Sequence, residues 1–168
     1  YGIRFEEEIL EDVYFNEDGS VMTGADKLFK EHKKYVILHT GHSLRPYGPV
    51  YMVLMPKDND IKRGYGVIIY SQKNNLSSFT PDKTFEYRID NDNVICDEFY
   101  YHTTFYGDGR ISGQKRRTLS IYEDDYAGIV LEGKFSIDGW EANCRMTLYH
   151  KGYSDWLYDE LQKHIGRR

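Results

Sequence analysis

Two histidines lie in strand-like stretches where an imidazole could transfer protons. His102 stands among the hydroxyl-bearing side chains of residues 100–104, and His39 directly follows the mainly apolar residues 35–38. A neutral imidazole beside a phenol can serve as a general acid or base near neutral pH. His102 and His39 are therefore the candidate catalytic residues, and the alternative is that each is an ordinary histidine of a strand.

The other residue patterns give little support to nucleotide or metal chemistry. Residues 64–66 and 107–109 lack both the glycine spacing of a phosphate-binding loop and its strand-to-helix context. His39 and His42 would point to opposite faces of a strand, and no cysteine or acidic partner lies close to them in sequence. We therefore predict no cofactor and no metal site.

The two cysteines, Cys96 and Cys144, do not form a metal-binding pattern. Each lies in a strand-like segment, so a single disulfide between neighbouring strands and two free buried thiols both remain open. Asp97 and Glu98 follow Cys96 directly, and their charges would raise the pKa of its thiol. Cysteine catalysis is therefore disfavoured.

Aromatic side chains are the unusual feature of the composition, since 16 Tyr, 8 Phe and 2 Trp make up 15% of the chain. Such rings favour strands, and their apolar bodies with polar tips also suit the lining of a ligand site. The candidate ligand-binding residues are rings on strand-like segments, with Arg88 as a polar contact: Tyr51, Tyr65, Tyr70, Phe85, Tyr87, Phe99, Tyr101, Phe105 and Trp140. The alternative is that the same rings fill a solid core.

In the segments that must position these residues, apolar and polar side chains alternate with a period of two from Tyr51 onward. This alternation is typical of strands. Asp138-Gly139 separates two such segments and predicts a two-residue hairpin turn, because both turn positions need a positive φ. In the second arm of this hairpin, residues 140, 142, 144, 146 and 148 are predicted to share the dry face. The pattern predicts seven or eight antiparallel strands.

Two helices are predicted, one before and one after the strands. Thr23 and Asp26 resemble a capping box, with Asp in place of Glu, ahead of a helix over residues 25–34. A second helix over residues 154–165 begins at Ser154 and carries its apolar side chains on one stripe: Trp156, Leu157, Leu161 and Ile165. This stripe should pack against the sheet.

The length of 168 residues suits a single domain with one core. We divide it into an N-terminal strand or arm (1–22), a β-barrel (34–150) and a C-terminal helix (154–165). The fold class is mainly β, an antiparallel barrel with a helix on either side, and about eight strands give an interior that can hold one small ligand. No apolar run approaches the length of a membrane span.

Charge is concentrated at the N-terminus, while the chain as a whole carries a net charge of −5. The acidic residues there oppose only Arg4: Glu6, Glu7, Glu8, Glu11, Asp12, Glu17 and Asp18. The one basic run, at 115–117, reads as a solvated hairpin strand, so nucleic acid is excluded as a partner. A protein partner at the acidic segment and a homodimer stay open.

The order of these segments resembles the lipocalin-like domains of the calycin group. The resemblance is carried by residues 34–41, the turn at 45–49 and residues 64–71, followed in a compatible order by 85–95, 98–106, 119–122 and 139–149. It covers residues 34–150, although the Gly-x-Trp motif that opens many lipocalins is absent. The resemblance implies a cup-shaped barrel that binds a small hydrophobic ligand without a cofactor.

Three functions follow in order of preference. The first is a barrel that binds a small hydrophobic or aromatic molecule. The second is a cofactor-independent barrel enzyme of the lyase or isomerase/cyclase type, in which His102 or His39 with a tyrosine provides acid and base; some calycin-type barrels are enzymes. The third is a protein-interaction module that uses the acidic N-terminal segment.

Overall fold

The computed structural model describes residues 15–40, 50–70, 80–102, 110–137 and 140–163, and the side chains over 15–40, 50–69, 84–97, 116–134 and 143–163. Its elements are helix α1 (Gly24–Leu28), strands β1 (Val36–His39), β2 (Val50–Lys57), β3 (Asp60–Tyr70), β4 (Thr80–Asp90), β5 (Asn93–His102), β6 (Arg110–Asp124), β7 (Gly128–Ile137) and β8 (Trp140–Leu148), and helix α2 (Asp155–Gln162).

Every strand pairs antiparallel with the next one along the chain, and β8 pairs with β1, so the sheet closes into an eight-stranded barrel. This confirms the predicted fold class, a mainly β antiparallel barrel with one helix before it and one after it. The register agrees with the predicted two-residue turn at 138–139, since Ile137 pairs with Trp140. Asp90 pairs with Asn93 across another tight turn, in which Asn91 has a φ of 55°.

Strand β8 shows why the sequence alternates in polarity. Cys144 and Met146 are buried in the barrel core, whereas Asn143 and Arg145, which alternate with them, are exposed. One face of the strand therefore points into the barrel and the other into solvent, as expected for an antiparallel sheet closed over a core. The predicted dry face is confirmed for the described residues of this strand.

Helix α1 covers one end of the barrel. Its capping box is present: the Asp26 backbone N–H donates to Thr23 Oγ1 at 3.3 Å, and the Thr23 backbone N–H donates to Asp26 Oδ2 at 2.9 Å. The helix ends at Leu28, earlier than the predicted residue 34, because the backbone of Phe29 leaves the helical conformation with φ −99° and ψ 17°. Leu28 and Phe29 are both buried in the barrel core. The chain then turns back into β1.

Helix α2 packs on the outside of the barrel. Ser154 caps it, as predicted, and accepts a hydrogen bond from the Leu157 backbone N–H at 3.1 Å. Leu157 and Leu161 are buried in an outer aromatic cluster against β1, β2 and β3, with these partners: Tyr35, Ile37, Tyr51, Val53, Met55, Val67, Ile69, Tyr149, Tyr153 and Tyr158. Trp156, predicted on the same stripe, is instead 49% exposed, because it lies beside the buried face.

The segment ahead of α1 forms a small hairpin. Phe15 and Val21 pair in one isolated bridge, and Gly19 takes a φ of 88° in the turn between them. Residues 1–14, which carry most of the predicted acidic arm, lie outside the described residues.

Candidate functional site

The ring residues predicted to line one pocket divide between two surfaces. Phe85 and Tyr87 belong to the interior core of the barrel, whereas Tyr51 belongs to the outer aromatic cluster. Tyr65 pairs with Met55, another member of that outer cluster, and its ring lies 5.7 Å from the Lys57 ammonium group. Of these four, only Phe85 and Tyr87 are therefore on the face that could contact a molecule inside the barrel.

The remaining predicted residues of the barrel are one exposed side chain and six that lie outside the described side chains. Arg88 lies between the inward residues Tyr87 and Ile89 and is exposed on the outside. Phe105 lies outside the described residues, and five more lie in described strands but outside the described side chains: Tyr70, Phe99, Tyr101, His102 and Trp140.

The interior side chains form rows that run from strand to strand. In one row Ile89 pairs with Val94 and Val94 pairs with Leu119, close to the end covered by α1. The next row along the strands consists of Tyr87, Cys96 and Arg117, because Tyr87 pairs with Cys96 and Cys96 with Arg117. Side chains directly opposite each other on adjacent strands lie on the same face. The interior therefore changes from an apolar row to one with polar groups.

Arg117 is the functional candidate that the sequence reading missed. Its side chain is only 9% exposed, and it shares the inward face of β6 with Leu119 and Ile121. Its neighbour Arg116 is exposed on the outer face, where its Nε donates to Asp97 Oδ1 at 2.9 Å. The interpretation of residues 115–117 as a wholly solvated strand is therefore wrong for Arg117, because neighbouring strand residues face opposite sides.

Two other polar groups among the described inward side chains, those of Tyr87 and Cys144, keep their protons at neutral pH. Burial, together with the Asp60 charge, raises the pKa of Tyr87 far above its usual value, and its hydroxyl donates to the Ile61 carbonyl oxygen at 3.2 Å. Cys96 and Cys144 are both buried and are not joined by a disulfide, which answers the question that the sequence left open. Burial raises the pKa of the Cys144 thiol to about 11, so it remains protonated at neutral pH.

His39 lies on the outer face of β1, beside two tyrosines. Its ring centroid is 6.1 Å from that of Tyr51 and 4.8 Å from that of Tyr149. Burial, and then the nearby His150, lowers the pKa of His39, so its imidazole is neutral at pH 7 and can accept a proton. His39 thus has tyrosine rings beside it, but it lies on the opposite side of the sheet from Tyr87, Cys96 and Arg117.

A surface pocket of about 250 Å³ lies at the covered end, between α1, the β6–β7 turn and the end of β8. The pocket is lined by both positively and negatively charged side chains. Lys27 and Glu123 pair at 3.2 Å, and His150 lies 3.5 Å from Glu31. The pocket is separate from the interior rows and presents no surplus of one charge.

Within the described ranges, no three or more His, Cys, Asp or Glu side chains come together as metal ligands would. Neither helix of the described chain has the length and apolarity needed to cross a bilayer.

Comparison with known proteins gives no relative for this chain. No protein-family model matches it, and no curated protein and no solved structure is significantly similar to it.

Proposed function

We propose that this protein is a lipocalin-like binding protein that holds a small hydrophobic or aromatic molecule inside its barrel. The observation that carries the proposal is the graded interior, in which Ile89, Val94 and Leu119 form an apolar row and Tyr87, Cys96 and Arg117 form the next. Binding sites for small molecules combine mainly apolar walls with a few polar groups that orient the ligand. The apolar row and the row with polar groups both lie on the inward face of the barrel wall.

The dimensions of the barrel support this proposal. An eight-stranded barrel is just wide enough to be filled by side chains or to hold one small ligand. Two inward positions carry cysteine, a small side chain that takes up little of the interior: Cys96 and Cys144. The ring of Phe85 lies against the wall at Gly66, where a side chain on residue 66 would overlap it.

Binding can be tested with the neutral fluorescent probe N-phenyl-1-naphthylamine and with native mass spectrometry of the purified protein and its organic extract. The wild-type protein should bind the probe or carry a co-purified small molecule. Absence of both results would contradict the proposal, because a core filled by its own side chains gives neither.

Two variants locate the bound probe. Cys96→Phe adds a ring on the inward face and should weaken probe binding by about tenfold or more while the protein stays folded, since an open interior can accept the ring. Thr118→Phe adds the same ring on the exposed face of β6 and should bind the probe like the wild type. Probe binding that is unchanged in Cys96→Phe would place the probe elsewhere, and an unfolded Cys96→Phe would indicate a solid core.

A further inference from the structure

We infer that this protein forms a two-fold symmetric dimer in which Tyr126 of each copy enters the surface pocket of the other copy. The pocket is the one between α1, the β6–β7 turn and the end of β8. The inference is independent of the proposed function, because it involves no molecule inside the barrel. It starts from a fully exposed ring and a partly apolar pocket that lie side by side at one end of the barrel.

The exposure of Tyr126 is the first observation. The side chain is 100% exposed in the middle of the β6–β7 turn, although a tyrosine ring has a large apolar surface. A second molecule that covered this ring would gain the free energy of burying that surface. Tyrosine is also one of the residue types that most often dominate the binding energy of protein interfaces. The ring therefore has the properties of an interface anchor.

The turn that carries this ring is held in place by Asp124. Its Oδ1 accepts hydrogen bonds from the backbone N–H groups of Tyr126 and Ala127 at 2.8 and 3.1 Å. Its Oδ2 accepts one from Arg145 Nη2 at 2.9 Å, which ties the turn to β8. A tyrosine side chain has only two torsions, so a ring on a fixed turn loses little conformational entropy when it is bound.

The pocket beside the turn suits a single side chain. Its volume of about 250 Å³ is below the range of about 300–1,000 Å³ that is typical of pockets for small-molecule ligands. Three of its lining residues are apolar and are buried or partly buried in the barrel core: Leu28, Ile129 and Leu148. The pocket therefore offers an apolar surface of the right extent for an aromatic ring.

The charges of the pocket favour a tyrosine over an ionic ligand. Lys27 Nζ lies 3.2 Å from Glu123 Oε1, and His150 Nδ1 lies 3.5 Å from Glu31 Oε2. Because charges of both signs are present, an ionic ligand would meet repulsion as well as attraction. A tyrosine hydroxyl is uncharged and can donate to a carboxylate or accept from an ammonium group. It can therefore form a hydrogen bond with either kind of side chain.

The position of the ring next to the pocket identifies the partner as a second copy. Ala127 and Gly128, which follow Tyr126 in the turn, line the pocket themselves. A two-fold axis beside the turn would therefore place each ring in the pocket of the other copy, as in any isologous interface. The charges agree with this arrangement, because the exposed Asp125 beside the ring would approach the pocket edge that carries the exposed Lys30.

Sedimentation velocity of the full chain tests the inference. A contact of this size gives a weak dimer, so the protein is measured from about 1 µM to about 1 mM. We expect a monomer–dimer equilibrium within this range. Tyr126→Ala should weaken the dimer by about tenfold or more, because the anchor is lost. Trp156→Ala is the matched control: it removes a half-exposed ring from α2, which does not line the pocket, and should leave the dimer unchanged.

A mixture of two variants tests the exchange of rings directly. Ala127→Trp obstructs the pocket from an exposed position and keeps Tyr126, whereas Tyr126→Ala removes the ring and keeps the pocket. Each variant alone should be mainly monomeric where the wild type dimerises. The mixture should associate more strongly than either variant alone, because the ring of one still fits the pocket of the other. Circular dichroism checks that each variant is folded.

Several results would overturn the inference. One is a wild type that stays monomeric over the whole concentration range. Another is a dimer that persists in Tyr126→Ala or is lost in Trp156→Ala. A mixture that associates no better than the separate variants would show that Tyr126 does not enter the pocket. If Ala127→Trp is not folded, Lys30→Trp, at another exposed lining residue, takes its place in the mixture.

Discussion

The phenol oxygen of Tyr35 binds both main-chain groups of Ser154. It accepts a hydrogen bond from the Ser154 N–H at 2.8 Å and donates one to the Ser154 carbonyl oxygen at 3.1 Å. Ser154 is the N-cap of α2, and Tyr35 immediately precedes β1, so this contact fixes the start of the helix to the barrel across 119 positions of sequence. Removal of the Tyr35 hydroxyl should therefore change the free energy of unfolding.

We predict that Tyr35→Phe lowers the free energy of unfolding by about 1–2 kcal/mol, because two partly buried main-chain groups lose a partner. Denaturant unfolding monitored by circular dichroism measures this difference. Tyr126→Phe is the matched control, since Tyr126 is 100% exposed in the β6–β7 turn, and it should leave stability unchanged. Equal stabilities for Tyr35→Phe and the wild type would show that these hydrogen bonds contribute nothing.

A second prediction concerns Gly66 and Phe85. A Cβ atom on residue 66 would overlap the ring of Phe85, so Gly66→Ala should lower the unfolding free energy by about 2 kcal/mol. In the Phe85→Leu background the same alanine should cost less, because the smaller side chain leaves space. A double-mutant cycle measures this coupling, and additive effects of the two substitutions would contradict the direct contact.

A third prediction concerns the capping box of α1. Asp26 Oδ2 accepts hydrogen bonds from the Thr23 backbone, the Thr23 hydroxyl and the Asn16 amide, at 2.9, 3.0 and 3.2 Å. Asp26→Ala should therefore lower the unfolding free energy by about 1 kcal/mol at neutral pH. The exposed Asp125, in the β6–β7 turn, provides the control variant Asp125→Ala, which should have little effect.

The same carboxylate predicts a pH dependence. Burial raises the pKa of Asp26, but the hydrogen bonds from Thr23 and Asn16 outweigh it and lower the pKa below the ordinary value of 3.8. The native state therefore holds the ionised form more strongly than the unfolded state does. The resulting stability is present above pH 3.8 and is lost as the pH falls through the lowered pKa. The stability gap between wild type and Asp26→Ala should thus shrink on acidification, and a gap that widens would contradict this.

A further prediction concerns His39, whose pKa is also lowered, here by burial and by the nearby His150 rather than by hydrogen bonds. Because burial and the nearby His150 lower its pKa, the unfolded state takes up a proton before the native state does. The contribution of neutral His39 to the free energy of unfolding is fully present above the ordinary pKa of 6.5. It is lost as the pH drops from there through the lowered pKa. Between about pH 7.5 and pH 5 the wild type should therefore lose more unfolding free energy than His39→Gln. Parallel pH profiles for the two proteins would overturn this.

The sequence predicts the barrel well because most strands have one wet face. The residues of β4 and β8 alternate in burial as they alternate in polarity, and the turns between strands contain Asn, Asp and Gly. Strand β2 lacks this signal. Residues 50–55 are all buried, because one face points into the barrel and the other lies under α2. Because burial does not alternate along β2, no local signal indicates which face of the strand carries Tyr51. In the structure its side chain lies on the outer face of the barrel.

The site is less predictable, and Arg117 shows the reason. Three consecutive basic residues suggest a solvated strand when they are read as a run. Arg117, however, has the same parity as Leu119 and Ile121, and that spacing was the available signal for an inward side chain. The sequence shows that the chain is rich in tyrosine, but it does not predict which tyrosines lie beside His39. The two rings belong to Tyr51 of β2 and to Tyr149 after β8, which are brought to His39 by the fold.

The closure between β1 and β8 is short, with Leu38 opposite Leu148 and His39 opposite Thr147. The chain then crosses this seam, since the Tyr149 N–H donates to the Ile37 carbonyl oxygen at 2.7 Å and α2 packs on β1 to β3. A barrel that opened there would become a curved sheet with two unpaired edges, which are templates for association with other chains. The C-terminal segment covers this short seam and so helps to keep both strand edges paired within the chain.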